Sequence, residues 1–113
     1  MTAYNVHINR IHCYRQDESD GDELFLKYKG ERIWPLHHKY KKVKEGEEEV
    51  NIDIAGISPG EIIEIELWDY DILSSNDKLG TFKMLIDEQG GPFSTDLSGN
   101  NTMMKYTLDW EVE

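Results

Sequence analysis

The strict alternation of apolar and polar residues near the end of the chain limits its fold more than any other feature. Apolar side chains occupy every second position, at Met104, Tyr106, Leu108, Trp110 and Val112, and polar or charged residues stand between them. Successive side chains of a strand point to opposite faces, so this pattern predicts a strand with one buried face. Shorter runs of the same period recur along the chain, separated by Gly, Pro, Asn and Ser. The sequence therefore predicts an all-β protein.

About eight strands are predicted from these runs, within one domain that spans residues 1–113. The first run shifts phase after Ile8, which predicts a bulge around Asn9 and Arg10. A short turn is expected at residues 29–30. Residues 88–101 are rich in Gly, Ser and Asn and are expected to form a long irregular connection.

Composition excludes several classes of protein. The net charge of −11 argues against a nucleic-acid-binding protein, because a phosphate backbone would be repelled. No apolar run approaches the roughly 18 residues of a membrane span. The first residues lack a basic start followed by an apolar segment, so we expect no signal peptide and a cytoplasmic location. The single cysteine, Cys13, is expected to be a small buried side chain.

Little in the sequence points to catalysis. It has no phosphate-binding glycine loop and no Cys/His zinc spacing. The adjacent histidines His37 and His38 cannot place both rings on one face of a strand. We therefore expect a protein that is not an enzyme, and a metal-dependent hydrolase is the weakest of the hypotheses considered.

Three aspartates, Asp69, Asp71 and Asp77, follow a predicted strand within nine residues. Carboxylate oxygens are the ligands that calcium prefers, and a bound cation would relieve the repulsion between them. An EF-hand loop is excluded, because its sixth and twelfth positions, counted from Asp69, would be Ser74 and Gly80 instead of Gly and Glu. An acidic loop that is simply solvated remains the alternative.

A second acidic segment, residues 15–23, lies upstream between two predicted strands. Loops of an antiparallel sandwich gather at its two ends. If both acidic segments lie at the same end, their carboxylates can converge on one cation. If they lie at opposite ends, they are unrelated.

The segment Trp68-Asp69-Tyr70-Asp71, followed by Asp77 and Leu79-Gly80, resembles the third calcium-binding loop of a C2 domain. The resemblance implies an eight-stranded antiparallel Greek-key β-sandwich that binds Ca²⁺. It further implies five ligands, two from a first loop and three from the third: Asp17, Asp22, Asp69, Asp71 and Asp77. Asp20 is a substitute or sixth carboxylate. The chain departs from the family in the extra acids of its first loop and in lacking Asn-Pro after its basic strand.

Two further segments resemble the parts of C2 domains that contact membranes. Residues 37–44 form a lysine-rich segment, and two adjacent apolar residues lie between Asp71 and Asp77 in the predicted third loop. The predicted membrane-contact residues are Lys39, Lys41, Lys42, Lys44, Ile72 and Leu73. The alternatives are lysines that protect a strand edge from aggregation and apolar residues that fold back onto the sandwich.

The leading hypothesis is a monomeric calcium-binding C2-like module that docks peripherally on anionic phospholipid surfaces. The alternative is a C2-like structural or protein-interaction subunit of a larger assembly, in which calcium only stabilises the loops or is absent.

Overall fold

The computed structural model describes residues 3–15, 21–99 and 105–113, and these form nine antiparallel strands. The strands are β1 (Tyr4–Arg15), β2 (Asp22–Tyr28), β3 (Glu31–Trp34), β4 (Lys41–Val43), β5 (Gly46–Ile57), β6 (Glu61–Asp69), β7 (Asp77–Ile86), β8 (Gly90–Asp96) and β9 (Lys105–Val112). Sheet A has the order β5-β1-β9-β8, and sheet B has the order β3-β2-β6-β7 with β4 also paired to β2. The predicted all-β sandwich is confirmed, with nine strands instead of eight.

Apolar side chains from alternate positions of both sheets fill the space between them. The predicted bulge in β1 is confirmed, because the register with β5 and β9 shifts between Ile8 and Arg10. The shift lets Ile8 and Ile11 both face the core although they are three residues apart. The described residues contain no helix of the length and apolarity needed to cross a membrane.

The prediction that residues 88–101 form one irregular connection is wrong for residues 90–96, which are β8. This strand lies at the edge of sheet A, where Pro92 removes no hydrogen bond of the sheet interior. Its register with β9 shifts between Gly90 and Phe93. The ring of Phe93 packs on Trp110 with centroids 4.7 Å apart. Contact with the neighbouring strand β9 therefore stabilises a segment whose composition is typical of a loop.

The antiparallel registers bring several acidic residues to one end of sheet B. β6 ends at Asp69 and β7 begins at Asp77, and these two residues are register partners. β2 begins at Asp22, two residues before Leu24, which is the partner of Asp69 on the other side of β6. We call this the acidic end. It carries the β3–β4 loop (residues 35–40) and the β6–β7 loop (residues 70–76).

Candidate functional site

The β6–β7 loop is shaped by hydrogen bonds to Asp71. Its Oδ1 accepts from the backbone N–H of Leu73 at 2.9 Å, and its Oδ2 accepts from the hydroxyl of Ser74 at 2.7 Å. The side chain of Asn76 accepts from the backbone N–H of Asp71 at 2.8 Å. These hydrogen bonds hold the pKa of Asp71 below its usual value; the bond from the Ser74 hydroxyl has the larger effect, and the bond from the Leu73 N–H adds to it. The loop therefore presents an exposed and ionised carboxylate.

Asp69 joins this loop to the start of β2. Its Oδ1 accepts from the backbone N–H of Glu23 at 3.1 Å, and the Glu23 carbonyl accepts from the N–H of Tyr70 at 2.7 Å. These bonds fix where β6 ends. Asp69, Asp71 and Asp77 thus lie at one end of the sandwich, as the sequence predicts, with Asp69 and Asp77 on neighbouring strands.

Two of the predicted metal ligands, Asp17 and Asp20, lie outside the described residues. Within residues 3–15, 21–99 and 105–113, no three His, Cys, Asp or Glu side chains are grouped closely enough to hold a metal ion. The oxygen donors of the β6–β7 loop suit a hard cation such as calcium in chemical type. They do not form a closed site by themselves, and the predicted calcium site stays a prediction.

Asp22 is fully buried at the start of β2. Its Oδ2 accepts a hydrogen bond from the hydroxyl of Tyr106, and Cys13 makes a side-chain hydrogen bond with the same tyrosine. Burial is the main cause that raises the pKa of Tyr106 far above its usual value, and the hydrogen bond to Asp22 raises it further. The phenol therefore stays protonated and donates its hydrogen bond to Asp22. Ligation of calcium by Asp22 remains a prediction. The structure adds a role in the core that the sequence analysis did not include.

The tip of the β6–β7 loop is apolar and exposed. Ile72 and Leu73 expose 82% and 93% of their surface, so neither folds back onto the sandwich. Leu36, in the β3–β4 loop, is 68% exposed. The rings of Tyr40 and Tyr70 stack with centroids 5.1 Å apart and hold the two loops together. The sequence analysis did not include Leu36 and Tyr40 among the exposed residues of the acidic end. Apolar residues close to Pro35, in a segment between strands, are a pattern that could have indicated their exposure.

The four predicted lysines are exposed in the β3–β4 loop, in β4 and directly after β4, beside the acidic end. Lys39 Nζ lies 6.0 Å from the ring centroid of Tyr70. Lys41 and Lys42 belong to β4, which among the described residues pairs only with β2 and is therefore an edge strand. Lys44 packs its Cγ near Gly21. This position fits both the membrane-contact prediction and the edge-protection alternative.

No family model and no curated protein matches this chain by sequence. Solved structures do match its fold. C2 domain A of plant extended synaptotagmin 1 superposes with a TM-score of 0.64 at 18% identity, over 97% of this chain and 91% of that one. A structure described as a C2 domain matches with a TM-score of 0.62 at 10% identity, over 100% and 99% of the two chains. A structure of C2 domains A and B of extended synaptotagmin 2 matches at 0.62 and 17%, over 98% and 40%.

Proposed function

We propose that this chain, whose fold is that of a C2 domain, is a calcium-binding module that docks on anionic phospholipid surfaces. The observation that carries the proposal is the position of two exposed apolar side chains, Ile72 and Leu73, directly after the ionised carboxylate of Asp71. Apolar residues at the tip of an acidic loop suit a surface that is both charged and apolar. The proposed activity is binding and not catalysis, in the cytoplasm and at the membrane periphery.

The residues proposed to hold calcium are the aspartates of the β6–β7 loop and of the segment before β2: Asp69, Asp71, Asp77, Asp17 and Asp22, with Asp20 as a substitute. Asp71 is exposed and ionised, and Asp69 is fixed by the Glu23 N–H, so both present oxygen atoms without a large rearrangement. Asp22 would have to share or leave its bond to Tyr106. When bound, calcium would supply the positive charge that offsets repulsion between the acidic end and anionic headgroups.

The remaining residues contribute according to their chemistry. With a net charge of −11, the chain is repelled by an anionic bilayer when no cation is bound. Lys39, Lys41, Lys42 and Lys44 oppose this repulsion by about 1 kcal/mol for each lysine close to the surface, and salt screens the effect. Ile72 and Leu73 would enter the headgroup region. Binding is therefore expected to need calcium, anionic lipid and the apolar tip together.

Sedimentation with vesicles tests this proposal. The wild-type chain should pellet with phosphatidylserine-containing vesicles in calcium, and remain in solution with chelator or with phosphatidylcholine alone. The double variant Ile72→Ser with Leu73→Ser should lose pelleting. The matched control is Ile62→Ser with Leu85→Ser, which removes two exposed apolar side chains from paired positions of β6 and β7 far from the loop tip.

The outcomes separate the two functional hypotheses. Pelleting that survives in the loop-tip variant, or that needs no calcium, would contradict the proposed docking. Calcium binding without any pelleting would favour the alternative, in which the domain is a structural or protein-interaction subunit.

A further inference from the structure

The outer face of sheet A carries three rows of charged and polar side chains, each centred on β1. His7 lies between Asp53 of β5 and Glu111 of β9. Arg10 lies between Glu49 and Asp109, and His12 lies between Glu47 and Thr107, which in turn neighbours Asp96 of β8. We call the six acids the acidic patch: Glu47, Glu49, Asp53, Asp96, Asp109 and Glu111.

The acidic patch is not neutralised by its own neighbours. Arg10 reaches Glu47 at 3.7 Å, His12 Nδ1 lies 3.4 Å from the same carboxylate, and His7 Nδ1 contacts Asp53 at 2.8 Å. Arg10 is the one permanent cation within the three rows, so these rows keep five negative charges when the histidines are neutral. Arg15 and its register partner Lys105 lie in the next row, beyond His12 and Thr107. A surface of this charge attracts a basic partner.

An unpartnered hydroxyl lies within the same face. Thr107 is nine-tenths buried, and its Oγ1 makes no hydrogen bond in the part of the chain that the structure describes. A buried hydroxyl without a partner is unfavourable, and it can accept from an incoming N–H group once the side chains that cover it move aside. Next to it the ring of His12 stacks on Tyr14 with centroids 4.0 Å apart, and Tyr14 is 54% exposed. The face therefore combines carboxylates, an unpartnered hydroxyl and an exposed aromatic ring. Groups of these kinds recognise arginine or lysine side chains.

We propose that the outer face of sheet A docks a basic polypeptide segment, with Arg or Lys at alternate positions of an extended chain. Side chains two residues apart on an extended chain are about 6.6 Å apart, which is also the spacing of the alternate β9 residues Thr107, Asp109 and Glu111, so successive basic residues can meet successive rows. A metal ion is a poorer occupant, since no three ligating side chains are grouped in the described residues. The inference does not rest on the calcium proposal, because none of these residues lies in the loops of the acidic end.

A fluorescein-labelled peptide of four arginines alternating with serines is the probe, and anisotropy in the presence of chelator is the readout. The double variant Glu47→Gln with Asp109→Asn should weaken binding about tenfold or more, equivalent to about 1.4 kcal/mol. The charge-matched control is Asp71→Asn with Asp77→Asn, which removes two charges from the acidic end instead. It should bind the peptide nearly as the wild type does.

Substitutions at two uncharged residues test the proposal independently of the net charge of the face. Thr107→Val removes the hydroxyl and keeps the shape, so it should weaken peptide binding while raising the melting temperature. Tyr14→Phe should keep binding, and Tyr14→Ser should weaken it. The proposal is overturned if the wild type does not bind the peptide, if the two charge-matched variants lose affinity equally, or if Thr107→Val binds as the wild type does.

Discussion

Removal of one hydroxyl from the core, in the variant Tyr106→Phe, should destabilise the fold substantially. The Tyr106 hydroxyl donates to the carboxylate of Asp22, and Asp22 is fully buried. Water cannot replace the lost donor without opening the start of β2. The variant preserves the ring and its packing, so the loss reports mainly on the hydrogen bonds of the hydroxyl, to the carboxylate of Asp22 and to Cys13.

The expected size follows from the charge of the acceptor. A hydrogen bond to a charged group contributes about 1.5–3 kcal/mol. Asp22 keeps at least one further interaction, so the estimate covers one bond and not the whole cost of burying the carboxylate. For a chain of 113 residues, this loss corresponds to a fall in melting temperature of about 6–12 °C. Tyr14→Phe removes a hydroxyl from an exposed ring and should change stability by less than about 0.5 kcal/mol.

Urea unfolding of Tyr106→Phe, Asp22→Asn and the double variant is the assay. Residues that interact directly should show a coupling free energy of about 1 kcal/mol or more, so that the double variant is less destabilised than the sum of the single ones. A destabilisation of Tyr106→Phe no larger than that of Tyr14→Phe, or additive effects in the cycle, would refute a direct stabilising bond between these side chains.

Two other changes test the packing and the surface charge. Gly80→Ala should cost about 1–3 kcal/mol in urea unfolding, because an added Cβ would lie 2.5 Å from the carbonyl oxygen of Ser98. Lys78 forms an ion pair with Glu66 at 2.9 Å, and this contact is the main reason that the pKa of Glu66 lies below its usual value. The ion pair stabilises the fold fully at pH values above the usual pKa of a glutamate. Its contribution is lost as the pH falls through the lowered pKa. Lys78→Gln should therefore reduce stability by about 0.2–1 kcal/mol at pH 7, and the difference should shrink in acid. Lys83→Gln is the control variant. A stability difference between Lys78→Gln and the wild type that grows in acid would contradict the predicted direction of the pH dependence.

The fold was largely predictable because its signals are local. Period-two alternation identifies β9 and most other strands, and the phase shift in β1 identifies its bulge. β8 was not predictable in this way. Its Gly-Gly-Pro start is typical of a loop, and the contact that stabilises it, between Phe93 and Trp110, is made with another strand and leaves no signal in the segment itself.

The candidate site divides along the same line. Asp69, Asp71 and Asp77 lie within nine residues, so their shared end of the sheet follows from spacing alone. The burial of Asp22 could not be predicted, because its partner Tyr106 lies 84 residues away. The acidic patch of sheet A was equally hidden, since its acids come from three strands and meet only through the register of β5, β1, β9 and β8.

Isothermal titration of the wild-type chain with calcium tests the central claim most directly, with magnesium as the control cation. The account predicts saturable binding that is selective for calcium. That binding should be lost in Asp69→Asn with Asp71→Asn, and kept in Glu61→Gln with Glu64→Gln, which removes the same charge from exposed positions of β6 away from the loop. No calcium-specific heat at millimolar concentration, or equal binding by both variants, would contradict it.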